Sequence, residues 1–357
     1  MKSNKQWFKN AIFYEVSIKS FYDRNGDGIG DFIGLSEKLD YLKDLGIDCL
    51  WILPYYPSPL KDDGYDISDY YNIHPDIGTL TDFEYFIEKA HSLGIRVIAD
   101  LVLNHTSDQH DWFKDSRKSI NSSKRHYYVW NKTNQKYLDA PIIFFDTEDS
   151  NWKYDENTSE YYWHRFYSSQ PDLNFDSEEV QSEMLRVVDF WLKKGLDGFR
   201  IDAVPYLFEK EGTSCENLKE THQYIKRLRA YIDEKYKGEE KVLLAEANMI
   251  PEELILYFGD DNDEFHMAFH FPLMTNIFLA VAKENPKAII PIIKNLINVP
   301  NSCQWATFLR NHDELTLALV DEDTRNFMWK YYAPQPQMKS NLGIRRRLAP
   351  LFNNDMQ

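Results

Sequence analysis

The sequence predicts a parallel α/β architecture, one strand short of a closed eight-stranded barrel and interrupted by an inserted subdomain. Three observations predict it. Short apolar runs alternate with longer amphipathic stretches along the 357 residues, the pattern of repeated strand–helix units. The chain is long for one compact domain, and barrels of alternating strands and helices are the usual exception. Residues able to do chemistry cluster just after several of the runs, where α/β barrels keep their active sites.

The apolar runs are Ala11 to Ile18, Cys49 to Leu53, Val97 to Leu103, Gly198 to Ile201, Val242 to Ala245 and Trp305 to Leu309, with a weaker one near Phe265 to Phe269. Each is bounded by Gly, Pro or charge and reads as a strand buried on both faces. Helical periodicity covers Leu35 to Leu45, Asp82 to Leu93, Glu178 to Lys194 and Cys215 to Tyr236. Residues 106 to about 175 are polar, aromatic and irregular, too long for an ordinary connection. This divides the chain into barrel residues 1–105, an inserted subdomain 106–175, and barrel residues 176–357. The tail from Ala333 has Pro-rich and Arg-rich patches and then Leu348 to Phe352.

With 41 basic and 57 acidic side chains the formal charge is −16, which disfavours nucleic acid or an anionic membrane as the main partner. A neutral small molecule fits better. Aromatic residues make up 15% of the chain; they could stack on sugars or fill the core. No apolar run reaches the roughly 18 residues of a membrane span. The polar stretch Met1 to Asn10 lacks an apolar signal core, so the expected compartment is the cytoplasm. Cys49, Cys215 and Cys303 are odd in number and far apart, suggesting neither disulfides nor a zinc site. Self-association into a homo-oligomer is left open.

Four polar clusters follow strand candidates in order: Asp100-Leu-Val-Leu-Asn104-His105, Gly198-Phe-Arg200-Ile-Asp202, Leu244-Ala-Glu246 and Arg310-Asn311-His312-Asp313. Cleavage of a glycosidic bond needs this kind of set. One carboxylate captures the cation-like centre while a protonated carboxyl releases the leaving oxygen. Adjacent strands could supply the separation of about 5–5.5 Å that retention requires. Arg200, two residues before Asp202, projects to the same side of its strand, and its charge favours an ionised Asp202. Glu246 must hold a proton to serve as acid. Asp100 reads as structural, buried and hydrogen-bonded near its strand end. His105 alone would more often be a core histidine.

These segments resemble the four signature regions of the α-amylase family, and Gln170-Pro-Asp-Leu-Asn174 resembles that family's extra motif near the end of its inserted domain. The resemblance runs from about Trp7 to Leu351. It implies a (β/α)₈ TIM-type barrel and a double-displacement mechanism, with Asp202 as nucleophile, Glu246 as general acid/base and Asp313 as transition-state stabiliser. It implies a substrate site of Asp66 (in Gly64-Tyr65-Asp66), His105, Arg200 and His312, with Gln170 as a further candidate. Tyr65 reads equally well as core or as a sugar-stacking ring.

Two calcium sites are expected. Asp23, Asn25, Asp27, Ile29 and Asp31 form an alternating series with Gly28 at a turn position. EF-hand loops use that spacing, but Gly34 stands where such a loop needs Glu. Similar loops in α-amylase relatives bind calcium; the alternative is an Asp/Asn/Gly turn. The second set, Asn104, Asp172 and Glu209 with the backbone carbonyls of Tyr206 and Leu207, rests on resemblance alone. No organic cofactor is expected.

Ala203 to Leu207, Leu243 to Asn248, Phe308 to Thr316 and Asn341 to Pro350 are similar to the trehalose synthase branch, which interconverts maltose and trehalose. That likeness implies an intramolecular transfer with water excluded. Rival readings are an α-glucosidase or oligosaccharide hydrolase, a noncatalytic binding protein, and an inactive fragment. Members of the family carry an eighth barrel strand and a C-terminal β domain, and neither is read here. Exposed strand edges are therefore expected to make the chain poorly soluble or weakly active alone.

Overall fold

A computed structural model describes residues 6–355. They divide into two compact units, one ending at Glu246 and the other starting at Ala247, a boundary the sequence reading does not place.

The first unit holds parallel strands β1 (Phe13–Val16), β2 (Cys49–Ile52) and β3 (Arg96–Val102). The inserted stretch has its own antiparallel sheet of β4 (Trp130–Asn131), β5 (Trp152–Asp155) and β6 (Glu160–Trp163), with β6 central. Val129, Ala140, Trp152 and Trp163 pack there with Cys215 into a small core of their own. The main sheet resumes with β7 (Gly198–Asp202), parallel to β3, and β8 (Val242–Ala245), parallel to β7. Every residue of β2, β7 and β8 is buried, which is why β2 and β8 read as unbroken apolar runs and β7 as an apolar run broken only by Arg200 and Asp202. Gly198 is required where β7 meets β8: a Cβ there would lie 2.0 Å from the carbonyl oxygen of Val242.

Helix Leu80–Ser92 starts from a capping box in which Thr79 and Asp82 satisfy each other's backbone N–H groups. It buries Phe83, Phe86, Ile87 and Ala90, one stripe at helical spacing. Helix Glu178–Lys193 buries Val180, Met184, Val187, Val188 and Trp191 in the same way. The periodic stretch Leu35 to Leu45 is two short helices, Phe32–Glu37 and Leu39–Asp44, meeting at Lys38. The helix expected from Cys215 begins at Lys219, because Cys215 and Asn217 take left-handed backbone conformations.

The second unit has the parallel pair β9 (Met267–Phe269) and β10 (Gln304–Ala306). Helix Phe271–Ala282 lies between them in sequence and is N-capped by His270, whose Nδ1 accepts from the Leu273 N–H at 3.1 Å. Strands β11 (Leu315–Thr316), β12 (Lys339–Ser340) and β13 (Gly343–Ile344) form a small antiparallel sheet with β13 central. Five parallel strands in one unit and two in the other make seven of the eight strands of a (β/α)₈ barrel among the described residues. Among the described residues no helix is long and apolar enough to cross a membrane.

Candidate active site

Asp202 ends β7 and Glu246 follows β8, so in-register pairing of these strands brings the two carboxyls to the same end of the sheet. Arg200 joins them. Its Nη1 donates to Asp202 Oδ1 at 2.6 Å, and its Nη2 pairs with Glu246 Oε1 at 2.5 Å. One guanidinium touching both groups holds the two carboxyls near each other, as a two-carboxyl glycosidase site requires. Directly after Asp202 the backbone turns sharply at Ala203 (φ 50°), whose N–H donates to Glu246 Oε2 at 3.2 Å. The turn thus gives the acid candidate a second fixed contact.

Behind this pair lies a buried support. Arg200 Nη1 also donates to Asp100 Oδ1 at 2.5 Å. Asp100 Oδ2 accepts from Trp51 Nε1 at 2.7 Å and from the Tyr65 hydroxyl at 3.2 Å. Burial opposes the Arg200 charge, but Asp100, Glu246 and Asp202 outweigh it and hold the guanidinium protonated well beyond its ordinary range. Asp100 is thus buried and hydrogen-bonded, as the sequence suggests. The parts that sequence reasoning missed are Trp51, which looks like a core filler inside an apolar run, and the bond from Tyr65, which is a donor here.

The expected substrate residues occupy several settings. Asp66 has no exposed surface. It accepts from Ser58 Oγ at 2.8 Å and from the N–H groups of Lys61 and Asp62 at 3.0 and 3.1 Å, organising its own loop. His105 is buried, and burial pulls its pKa down to about 3, so the ring is neutral. Gln170 approaches it at 3.1 Å and donates to Asp62 at 2.7 Å, tying the insert to the loop after β2.

Asp313 and His312 belong to the second unit. His312 Nε2 lies 3.3 Å from Asp313 Oδ1, and Asn311 donates to Asp313 Oδ2 at 3.4 Å. Arg347 donates to the carbonyls of Asn311 and His312, and Arg310 to that of Asp313. The Arg-rich tail therefore braces the third signature carboxylate, a role its charge alone does not reveal.

In the loop Asp23 to Asp31 the side-chain oxygens serve the loop itself. Asp23 accepts from the N–H groups of Gly28 and Gly26, which hold its carboxyl below the usual range. Asn25 accepts from Asp27 N–H, and Asp27 from Ile29 N–H. Asp31 caps helix Phe32–Glu37 through Gly34 N–H and accepts from Arg24 N–H. The second set differs. Asn104 Oδ1, Asp172 Oδ2 and Glu209 Oε1 are all buried without a hydrogen-bond partner among the described residues. Asn104 and Asp172 are held together because Leu173 N–H donates to the Asn104 carbonyl at 2.8 Å. Burial pushes the Asp172 carboxyl up to about 8, and burial with the Asp172 and Asp176 charges pushes Glu209 well up. Orphaned oxygens of this kind suit a hard cation. Among the described residues no three His, Cys, Asp or Glu side chains gather into a metal-holding group, so such a site would depend on the Asn104 amide and on backbone oxygens.

The trehalose synthase/amylase TreS of Mycolicibacterium smegmatis is 55% identical over 358 residues, covering 99% of this chain and 60% of that protein. The trehalose synthase of Thermus thermophilus is 54% identical over 349 residues, 98% of this chain and 36% of that one. The chain thus spans well under two thirds of these relatives. A crystal structure of the trehalulose synthase MutB from Pseudomonas mesoacidophila superimposes with a TM-score of 0.75 at 34% identity, covering 86% of this chain and 58% of that one. The family profile described as alpha amylase, catalytic domain, matches residues 16–332. That span takes in Asp202, Glu246 and Asp313 together with β2, β3 and β7 to β10 and the last residue of β1, and the chain belongs to the alpha-amylase family.

Proposed function

We propose that this chain carries out an intramolecular transglucosylation that interconverts maltose and trehalose with retention of configuration. The observation that carries the reading is the Arg200 bridge between Asp202 and Glu246. The high identity to proteins named trehalose synthases supports the choice of substrate and acceptor.

In the first step Glu246 protonates the bridging oxygen of maltose. Asp202 attacks the anomeric carbon, and the C–O bond to the departing glucose breaks. Asp202 then becomes an uncharged ester while Glu246 becomes a carboxylate. Arg200 touches both, so its charge keeps one anionic partner throughout, and the transfer of negative charge from one carboxyl to the other leaves the ion pairing intact. The freed glucose turns, and its anomeric hydroxyl attacks the ester while Glu246 takes its proton. Both steps invert, so the α configuration is kept. Asp313 stabilises the cation-like centre, and Asp66, His105, Gln170, Arg200 and His312 orient the sugars, in the same proposal. Water exclusion separates this outcome from hydrolysis, and the insert, tied through Gln170 to Asp62, is the natural cover.

Calcium belongs to the proposal too. The orphaned oxygens of Asn104, Asp172 and Glu209 support one site with the Tyr206 and Leu207 carbonyls. The alternating donors Asp23, Asn25, Asp27, Ile29 and Asp31 support a second. A calcium held by Asn104, Asp172 and Glu209 would supply the positive charge their buried oxygens lack, and no chemical step passes through it. A cytoplasmic location is the setting this reading assumes.

The mechanism is tested by mass spectrometry after incubation with 5-fluoro-α-D-glucosyl fluoride. A glucosyl adduct on the peptide containing Asp202 is expected. An adduct elsewhere, or inversion of the product anomer, would overturn the double displacement.

A further inference from the structure

The proposed chemistry turns on where one guanidinium sits, and its place is set from behind, by the carboxylate it pairs with and by what holds that carboxylate. We propose that Trp51 is the positioning residue for Arg200, acting through Asp100; this rests on the retaining reading of the site.

Trp51 on β2 pairs in register with Ile98, and Asp100, two residues further along β3, pairs with Arg200 on β7. Asp100 is therefore the diagonal neighbour of Trp51, within reach of a long side chain. The indole uses that reach in two ways. Its Nε1 donates to Asp100 Oδ2 at 2.7 Å, and its ring lies 5.3 Å from Arg200 Cζ, within cation–π range. Asp100 in turn meets Arg200 Nη1 at 2.5 Å. Trp51, Asp100 and Arg200 are each at most 5% exposed, so water does not substitute for a missing contact. A buried carboxylate that loses a directed donor rotates to recover one. Arg200 shares Nη1 between Asp100 and Asp202, so rotation of Asp100 pulls the guanidinium away from the Asp202–Glu246 axis. Trp191 and Trp152 satisfy their buried N–H groups on backbone carbonyls, whereas Trp51 spends its donor on the carboxylate that holds Arg200.

The test compares wild type with Trp51→Phe, which keeps an aromatic face and removes the donor. The probe is α-D-glucosyl fluoride. Its fluoride leaves without protonation as Asp202 attacks, so the assay reads glucosylation whatever the later acceptor. Trp51→Phe is expected to lower kcat about 10- to 100-fold, the scale of a lost hydrogen bond to a charged group, with KM changed less than about twofold. The acid limb of the pH profile is expected to move up, because Asp202 is less well served by Arg200. Wild-type kcat and pH limbs, or a loss confined to KM, would overturn the proposal. Replacement of Trp51 by benzothienylalanine, which keeps the bicyclic shape without the N–H, carries the same expectation and guards against a packing defect in Trp51→Phe. Glucose in place of trehalose from maltose would sink the acceptor reading alone and leave the fluoride comparison decisive for Trp51.

Discussion

Arg200 Nη2 lies 2.5 Å from Glu246 Oε1, while Nη1 of the same side chain meets Asp202. A lysine has one ammonium and cannot serve two carboxyls across a planar fork. Arg200→Lys is therefore expected to fold, as judged by its melting curve, and to lose about 10²–10³ in kcat on maltose, the scale of removing one preorganised stabilising donor. Activity within about threefold of wild type would contradict this arrangement.

Asp202 and Glu246 are distinguished by the leaving group. Glu246→Gln is expected to release fluoride from α-D-glucosyl fluoride in the first turnover at close to the wild-type rate. On maltose it should lose about 10²–10⁴, because only the sugar leaving group needs the acid. Asp202→Asn is expected to lose both reactions. Equal losses in the two variants with both substrates would reverse or void the assignment, and stopped-flow fluoride release makes the comparison.

The parts of this site that were legible in the sequence are those where chemistry sits beside a buried strand. Asp202, Glu246 and Arg200 could be read because the other residues of β7 and all of β8 are uncharged, and a charged residue within or just after such a strand is conspicuous. Trp51 could not, since an indole in the wholly buried β2 satisfies the same pattern whether it packs or donates. Helix Phe271–Ala282 escaped because it is apolar around much of its surface, leaving no polar face to mark a period. The late start of the helix at Lys219 was hidden because left-handed turns at Cys215 and Asn217 carry no glycine to announce them. The orphaned oxygens of Asn104, Asp172 and Glu209 come from three separate segments, and only tertiary structure establishes that they lack partners.

Calcium should act through stability. Its addition is expected to raise the melting temperature of wild type, by about 2.7 kcal/mol of stability at a hundredfold excess over Kd. EDTA should reverse the gain. Asp172→Asn with Glu209→Gln should abolish most of the response and most terbium luminescence at this site, since both charged ligands are gone. An unchanged calcium shift in the double variant would transfer the effect to the Asp23 to Asp31 loop, which Asp23→Asn with Asp27→Asn then tests.

Acid should destabilise the first unit through His110. Burial lowers its pKa from 6.5 to about 4, and its Nδ1 accepts from Trp112 N–H at 3.1 Å, which requires the neutral ring. The unfolded chain takes up the proton near pH 6.5 and the folded chain near pH 4. The histidine's contribution is therefore complete above about 6.5 and is lost as pH falls toward 4. It accounts for about 2 kcal/mol less stability at pH 5 than at pH 7. His110→Asn, which keeps a capping acceptor, should flatten the pH dependence by that amount in urea titrations. The same slope in variant and wild type would place the acid sensitivity elsewhere.

The central claim is that the glucosyl group on Asp202 is handed back to the glucose that left it. The direct measurement is incubation of the chain with maltose in the presence of ¹³C-labelled free glucose, with trehalose and glucose resolved by chromatography and mass spectrometry. Unlabelled trehalose as the main product is the predicted result. Labelled trehalose would show that the freed glucose escapes before it turns, and glucose without trehalose would make the chain a hydrolase.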